Sequence, residues 1–231
     1  MSQLINLFPL SVYKNLVGLD LNEREKLIDL ILAIEKESLK NIDKGKNHSW
    51  LGDVNNNQNL QLNSEFNNLF DLLIINIKRY IELLNVDSNK FDIYIQRSWA
   101  TISRGKEYIP QHKHHQSHLS FSYYLKKNKD DSAIIIHDTS KQNEFIPLLF
   151  NSISVEKKNF IKKRDTRNSP SVEITTEEDE IIIFPSKTLH STQTGANNNE
   201  RISISADIIL LVKNSNGIEH LTPPFTDWKK F

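Results

Sequence analysis

The spacing of apolar positions changes period once along this chain, near Asp87. Before that point it is helical. Leu27, Ile28, Ile31, Leu32 and Ile34 form a stripe that predicts a helix from about Glu23 to Lys40, with Asn22 as its cap. Phe66, Leu69, Phe70, Leu73, Ile74, Ile77, Tyr80, Ile81 and Leu84 predict a second helix from Ser64 to Leu84 with one strongly buried face. Residues 1–18 read as an extended lead-in anchored by Leu7, Phe8, Leu10, Val12 and Tyr13, and residues 41–62 as a polar loop holding Trp50 and the Asn-rich turn at 55–57.

After Asp87, short β-rich runs between polar turns take over. They are Phe91–Ser103, His118–Leu125, Ser132–His137, Val172–Thr175, Glu180–Phe184 and Arg201–Val212. Many short strands behind two helices predict a mainly β (α+β) fold, a β-sandwich or jelly roll braced from its N-terminal side. We expect one domain over 1–231, with helical support in 1–87 and a β core in 88–231. The polar stretch 138–171 interrupts that core as either a binding lid or a disordered insertion.

Composition narrows the function classes. Lys plus Arg number 29 and Asp plus Glu number 29, so the chain lacks the basic excess expected of a nucleic-acid binder. The local run Lys157, Lys158, Lys162, Lys163 and Arg164 reads as a solvated loop. With no cysteine there is no disulfide, thiolate metal site or cysteine nucleophile. Neither a leader-like N-terminus nor a membrane-length apolar run is visible, so a cytoplasmic protein is the expectation.

The chemistry concentrates in histidines. His112 and His114 are two apart, so in an extended segment both imidazoles point the same way. His190 follows the apolar run Ile181–Phe184 and a Pro185-Ser186 turn, 78 residues beyond His112. That separation suits ligands on distant strands that become neighbours in a rolled sheet. Three ligands on one face, with positions left open, are what a mononuclear non-haem iron site requires. The usual third ligand is a carboxylate. Here His114 stands in that place, Zn(II) becomes a competitor, and Asp138 is the remaining carboxylate candidate. Alternation turns His115 away and keeps His118 on the ligand side only if no bulge intervenes. His48 and His220 read as surface or core residues, and His137 is open between a pocket and a structural role.

Arg201 begins Arg201-Ile202-Ser203-Ile204-Ser205, 11 residues after His190. Its guanidinium can hold a carboxylate in a bidentate pair, and Ser203, on the same face, can add a hydroxyl hydrogen bond. Tyr124 shares the parity of His112 and His114 and could join that carboxylate site, whereas Phe121 and Tyr123 face the other way. Trp99 reads as core packing near the site.

Taken in order, Trp99, His112-x-His114, Leu119-Ser120-x-x-Tyr123-Tyr124, Phe184-Pro185-Ser186 ahead of His190, and Arg201-x-Ser203 resemble the 2-oxoglutarate/Fe(II) oxygenases of bacteria and phages. Those enzymes sit in the prolyl-hydroxylase-like branch of the double-stranded β-helix superfamily. Leu7-Phe8-Pro9, the two helices and Trp50 extend the resemblance over most of the chain. It implies a double-stranded β-helix core, Fe(II) at His112, His114 and His190, and 2-oxoglutarate at Arg201. O2 would be the oxidant, with succinate and CO2 released. Phe121 departs from the glycine common at its position, which would narrow the pocket, and 138–171 is longer and more polar than usual. The substrate would be an amino acid, a peptidyl side chain or another small molecule. Hydroxylation is favoured over halogenation, because a ligating His114 fills the position a halide needs. Desaturation and ring closure stay open, since all follow the same hydrogen abstraction. Two other readings remain at this point: a cupin-type three-histidine metal enzyme without 2-oxoglutarate, and a non-catalytic β-sandwich binding module.

Overall fold

The computed structural model describes residues 3–38, 49–50, 57–129, 131, 134–193, 200–215 and 217–231. His48, the expected helix end at Lys40, residues 55 and 56 of the Asn-rich turn and the expected strand start at Ser132 lie outside the described residues.

Helix α1 spans Leu21–Ser38 and α2 spans Asn67–Leu83, the latter entered through a 3-10 turn at Ser64–Phe66. The cap of α1 is Asp20, not Asn22: its carboxylate accepts from the amides of Asn22 and Glu23, so the helix starts two residues earlier than expected. Leu27 and Ile31 are fully buried, as are Leu69, Leu73 and Ile77 of α2. Leu84, expected in the stripe, is 44% exposed, because the helix ends at Leu83 and Asn85 takes a left-handed φ of 59°. The lead-in anchors fail in part. Tyr13 is buried, but Phe8 is 88% exposed, and Leu7 and Leu10 are exposed with it.

The strands are β1 (Tyr13–Leu16), β2 (Ser49–Trp50), β3 (Phe91–Arg104), β4 (Leu119–Lys126), β5 (Ile134–His137), β6 (Ser171–Ile174), β7 (Glu180–Pro185), β8 (His190–Thr192) and β9 (Glu200–Val212). They form two antiparallel sheets, the larger ordered β1-β7-β4-β9-β3-β2 and the smaller β6-β5-β8. From β4 onward the chain crosses between them, with β4, β7 and β9 in the larger sheet and β5, β6 and β8 in the smaller. This is a double-stranded β-helix. Part of the expected 41–62 loop is therefore strand, since Ser49 and Trp50 pair with Ile102 and Thr101.

Alternation gives the larger sheet two unlike faces. Ala100, Ile102, Phe121, Tyr123, Ile181, Ile183, Ile202, Ile204, Ala206 and Ile208 pack with the helices in one buried cluster. On the opposite face Tyr124, Ile182 and Phe184 meet Ile134 and Ile136 of the smaller sheet. A bulge in β3, between Ile95 and Arg97, reverses the parity of that strand. Ile93 and Ile95 pack toward the helices before it, and Ala100 and Ile102 do so after it.

The stretch 138–171 is a hairpin insertion between β5 and β6, carrying the short helix α3 (Ile153–Lys157). Its neck is closed by the Asp138 amide donating to the Pro170 carbonyl at 2.9 Å.

Candidate metal centre and co-substrate pocket

The cavity lies between the two sheets and is bordered by Trp99, His112, His114, Ser120, Ser122, Tyr124, Phe184, His190, Arg201, Ser203 and Ser205. Every inward position of β9 from Arg201 to Ser205 is on it, as strand alternation requires.

His112, His114 and His190 come together with their ligating atoms within 4.8 Å of one another. The backbone arranges this. His112 and His190 form an isolated bridge in which the His112 amide donates to the His190 carbonyl at 2.9 Å and the His190 amide donates back at 3.0 Å. The His114 amide donates to the Ser186 carbonyl at 3.0 Å.

The Nδ1 atoms of all three rings are engaged. His112 Nδ1 donates to the Pro110 carbonyl and His190 Nδ1 to the Thr188 carbonyl, each at 2.9 Å. A carbonyl can only accept, so those nitrogens carry the protons. His114 Nδ1 lies 2.8 Å from Asp207 Oδ1. Each ring is thereby turned to offer Nε2 to a common point, the orientation that outer hydrogen bonds give to metal-binding histidines. Burial, reinforced by the neighbouring His112, pushes the His190 pKa down to about 3, so its imidazole is neutral and able to coordinate at ordinary pH.

Asp207 is fully buried on the inward face of β9. Arg97 Nε and Nη2 donate to its Oδ2 at 3.0 and 2.8 Å, and Gln116 Nε2 donates to the same oxygen at 3.0 Å. Burial pushes this carboxyl up, but His114 and Arg97 outweigh it and hold it below its usual value. Trp99 stacks on His114 with ring centroids 5.8 Å apart, and the Arg97 guanidinium lies 5.0 Å from the Trp99 ring centroid.

Arg201 is 3% exposed, and its Nη2 donates to Ser103 Oγ at 3.1 Å. Burial pulls its pKa down, opposed by Tyr124 and Asp131. A carboxylate arriving in this cavity would relieve that penalty. Tyr124, also buried, stands opposite Ser203 in the β4–β9 ladder, and burial raises its phenol against the lowering effect of Arg201.

Other expectations fall elsewhere. Asp138 lies outside the donor group, and its carboxylate accepts from the amides of Ser140 and Lys141. His118 is exposed, with Nδ1 accepting from the Leu210 amide, because bends at 115–116 break the alternation after His114. His115 and His220 are exposed. His137 Nε2 contacts Ser191 Oγ at 2.9 Å. Phe121 borders the cavity but packs within the helix-side cluster. The residues missed in the sequence are Asp207 and Arg97. Asp207 was within reach, being two positions past Ser205 on the face already assigned to Arg201 and Ser203. Arg97 shares the face of Trp99, but parity read from Ile93 and Ile95 turns it toward the helices, because the bulge between Ile95 and Arg97 has no evident signal in the sequence.

Residues 97–207 match the model of a family described as "Putative 2OG-Fe(II) oxygenase". The match begins at Arg97, ends at Asp207 and contains every site residue named above. Over that segment the chain is similar to the 2OG-Fe(II) oxygenases, non-haem iron enzymes with Fe(II) as cofactor and 2-oxoglutarate and O2 as co-substrates.

No curated protein matches the sequence. Among solved structures, SnoK, a non-haem alpha-ketoglutarate-dependent carbocyclase from nogalamycin biosynthesis, aligns with a TM-score of 0.56 at 8% identity, covering 93% of this chain and 87% of its own. AviO1 from Streptomyces viridochromogenes Tue57 aligns at 0.55 and 10% identity, covering 93% and 92%. HygX from Streptomyces hygroscopicus, with nickel and 2-oxoglutarate bound, aligns at 0.53 and 10%, covering 86% and 82%. At such identities these likenesses bear on the fold. No helix among the described residues is long and apolar enough to cross a membrane.

Proposed function

We propose that this oxygenase hydroxylates an unactivated C–H bond of an amino-acid, peptidyl or other small substrate. In this reading His112, His114 and His190 hold Fe(II), and Arg201, Ser203 and Tyr124 hold 2-oxoglutarate. The observation that carries it is the pairing, in one cavity, of three imidazole donors within 4.8 Å and a buried arginine. Three neutral imidazoles suit iron. Iron and 2-oxoglutarate, when bound, would supply O2 activation, with one oxygen atom leaving in succinate alongside CO2 and the other delivered to the substrate C–H bond.

The protein's own residues bind and orient. Arg201 takes the far carboxylate of 2-oxoglutarate, with the Ser203 and Tyr124 hydroxyls beside it, in a site where exclusion of water strengthens the charge pair. Trp99 and Phe184 keep the walls apolar. The enzyme acts as one domain over 1–231, a reading supported by the single buried cluster that unites α1 and α2 with the larger sheet.

The test is an anaerobic titration of apo-protein with Fe(II) and 2-oxoglutarate, following the visible charge-transfer band of the chelate, in wild type and Arg201→Ala. A band present in wild type and lost in the variant is expected. Iron binding without a band in wild type would overturn the co-substrate assignment.

A further inference from the structure

We propose that Asp207 is the positioning residue of the metal centre, making His114 an anion-backed third ligand in place of the carboxylate that a facial triad would use. This rests on the ligand assignment above and goes beyond it. An aspartate ligand brings one negative charge to the metal, and a neutral imidazole brings none. Here the charge sits one residue further out. Asp207 Oδ1 lies 2.8 Å from His114 Nδ1, and a carboxylate in that place makes the ring a stronger donor through Nε2 and fixes its rotation.

The arrangement closes on itself. Arg97 grips the other carboxylate oxygen of Asp207, so that His114 shares Oδ1 only with the Ser117 and Ser120 hydroxyls, which donate to it from farther away, at 3.3 and 3.4 Å. The same guanidinium lies over Trp99, and Trp99 stacks on the His114 ring. His114 is therefore held both edge-on and face-on by residues that hold each other. Asp207 and Arg97 are direct partners in the β3–β9 ladder, immediately after the β3 bulge, so the backbone itself brings them together.

The experiment measures Co(II) affinity, and the Co(II) ligand-field spectrum, for wild type, Asp207→Asn, His114→Asp and the double variant. Asp207→Asn should weaken Co(II) binding by roughly 10- to 100-fold in the wild-type background and shift the spectrum. In the His114→Asp background the same change should cost nothing or improve binding, because it removes a carboxylate facing the new carboxylate ligand. A merely structural role would cost the same in both backgrounds, and that result would overturn the proposal. So would an unchanged affinity in Asp207→Asn. Failure of the wild type to bind Co(II) or Fe(II) would instead remove the ligand assignment itself. If Asp207→Asn does not fold, Arg97→Gln carries the test, with a smaller loss of affinity expected and the same dependence on the residue at 114.

Discussion

His112 and His190, 78 residues apart in sequence, exchange both of their main-chain hydrogen bonds at 2.9 and 3.0 Å. Two of the three donors are thus placed by a β-bridge. The apo-protein should therefore keep its tertiary structure. After exhaustive chelation, near-ultraviolet circular dichroism should remain native-like, and added Fe(II) or Co(II) should raise Tm progressively with concentration. An apo-protein without a tertiary signal would mean that the metal builds the site.

Arg201 carries a desolvation cost. Arg201→Ala should lower 2-oxoglutarate affinity at least about 100-fold, the scale of losing a buried, charge-assisted pair. Metal affinity without co-substrate should stay unchanged. Tm should hold or rise, since burial already disfavours this cation. Isothermal titration for each ligand separates the two sites, and equal losses for both would argue against a dedicated carboxylate anchor.

Neighbours on β9 should fail in different ways. Ile204 is fully buried against the helices. Ile204→Ala should cost about 2–5 kcal/mol in urea unfolding while leaving metal affinity of the folded fraction intact. Ser203→Ala, one residue away on the cavity face, should cost little stability and weaken 2-oxoglutarate binding several-fold, for a hydrogen bond worth about 1 kcal/mol.

Acid sensitivity should depend in part on Glu200. Burial pushes its carboxyl up, but Lys126 and Arg104 outweigh that and hold it below its usual value of 4.5. Its contribution to stability is therefore complete above pH 4.5 and fades as pH falls through the lower folded-state value. Thermal unfolding across that window should show Glu200→Gln less stable than wild type at neutral pH, by about 1 kcal/mol, with the gap closing in acid. A gap that widened in acid would reverse the sign of this linkage.

Periodicity made the helices and the long strands legible, because a 3.6-residue stripe and a two-residue alternation both survive in the sequence. Two of the donor residues could be paired from their spacing alone, and His190 from the apolar strand before it. What failed was local chemistry. Asp20 outcompeted Asn22 as a cap, and Leu7, Phe8 and Leu10 found no partners in the core despite their apolar side chains. The strand β8 holds only three residues, too short for any period to show. The β3 bulge broke the parity that runs from Ile93 and Ile95, which would have turned Arg97 toward the helices. Asp207 was overlooked for a different reason: a lone carboxylate in an apolar strand announces burial but not the identity of its partner.

The two unlike faces of the larger sheet have one more consequence. Along β9, alternate residues answer to different demands, Ile202, Ile204, Ala206 and Ile208 to folding and, in the proposed assignment, Arg201, Ser203, Ser205 and Asp207 to chemistry. Substitutions in one set need not disturb the other. The reaction can be retuned by changing every second letter of a strand, while the interleaved letters keep the protein in shape.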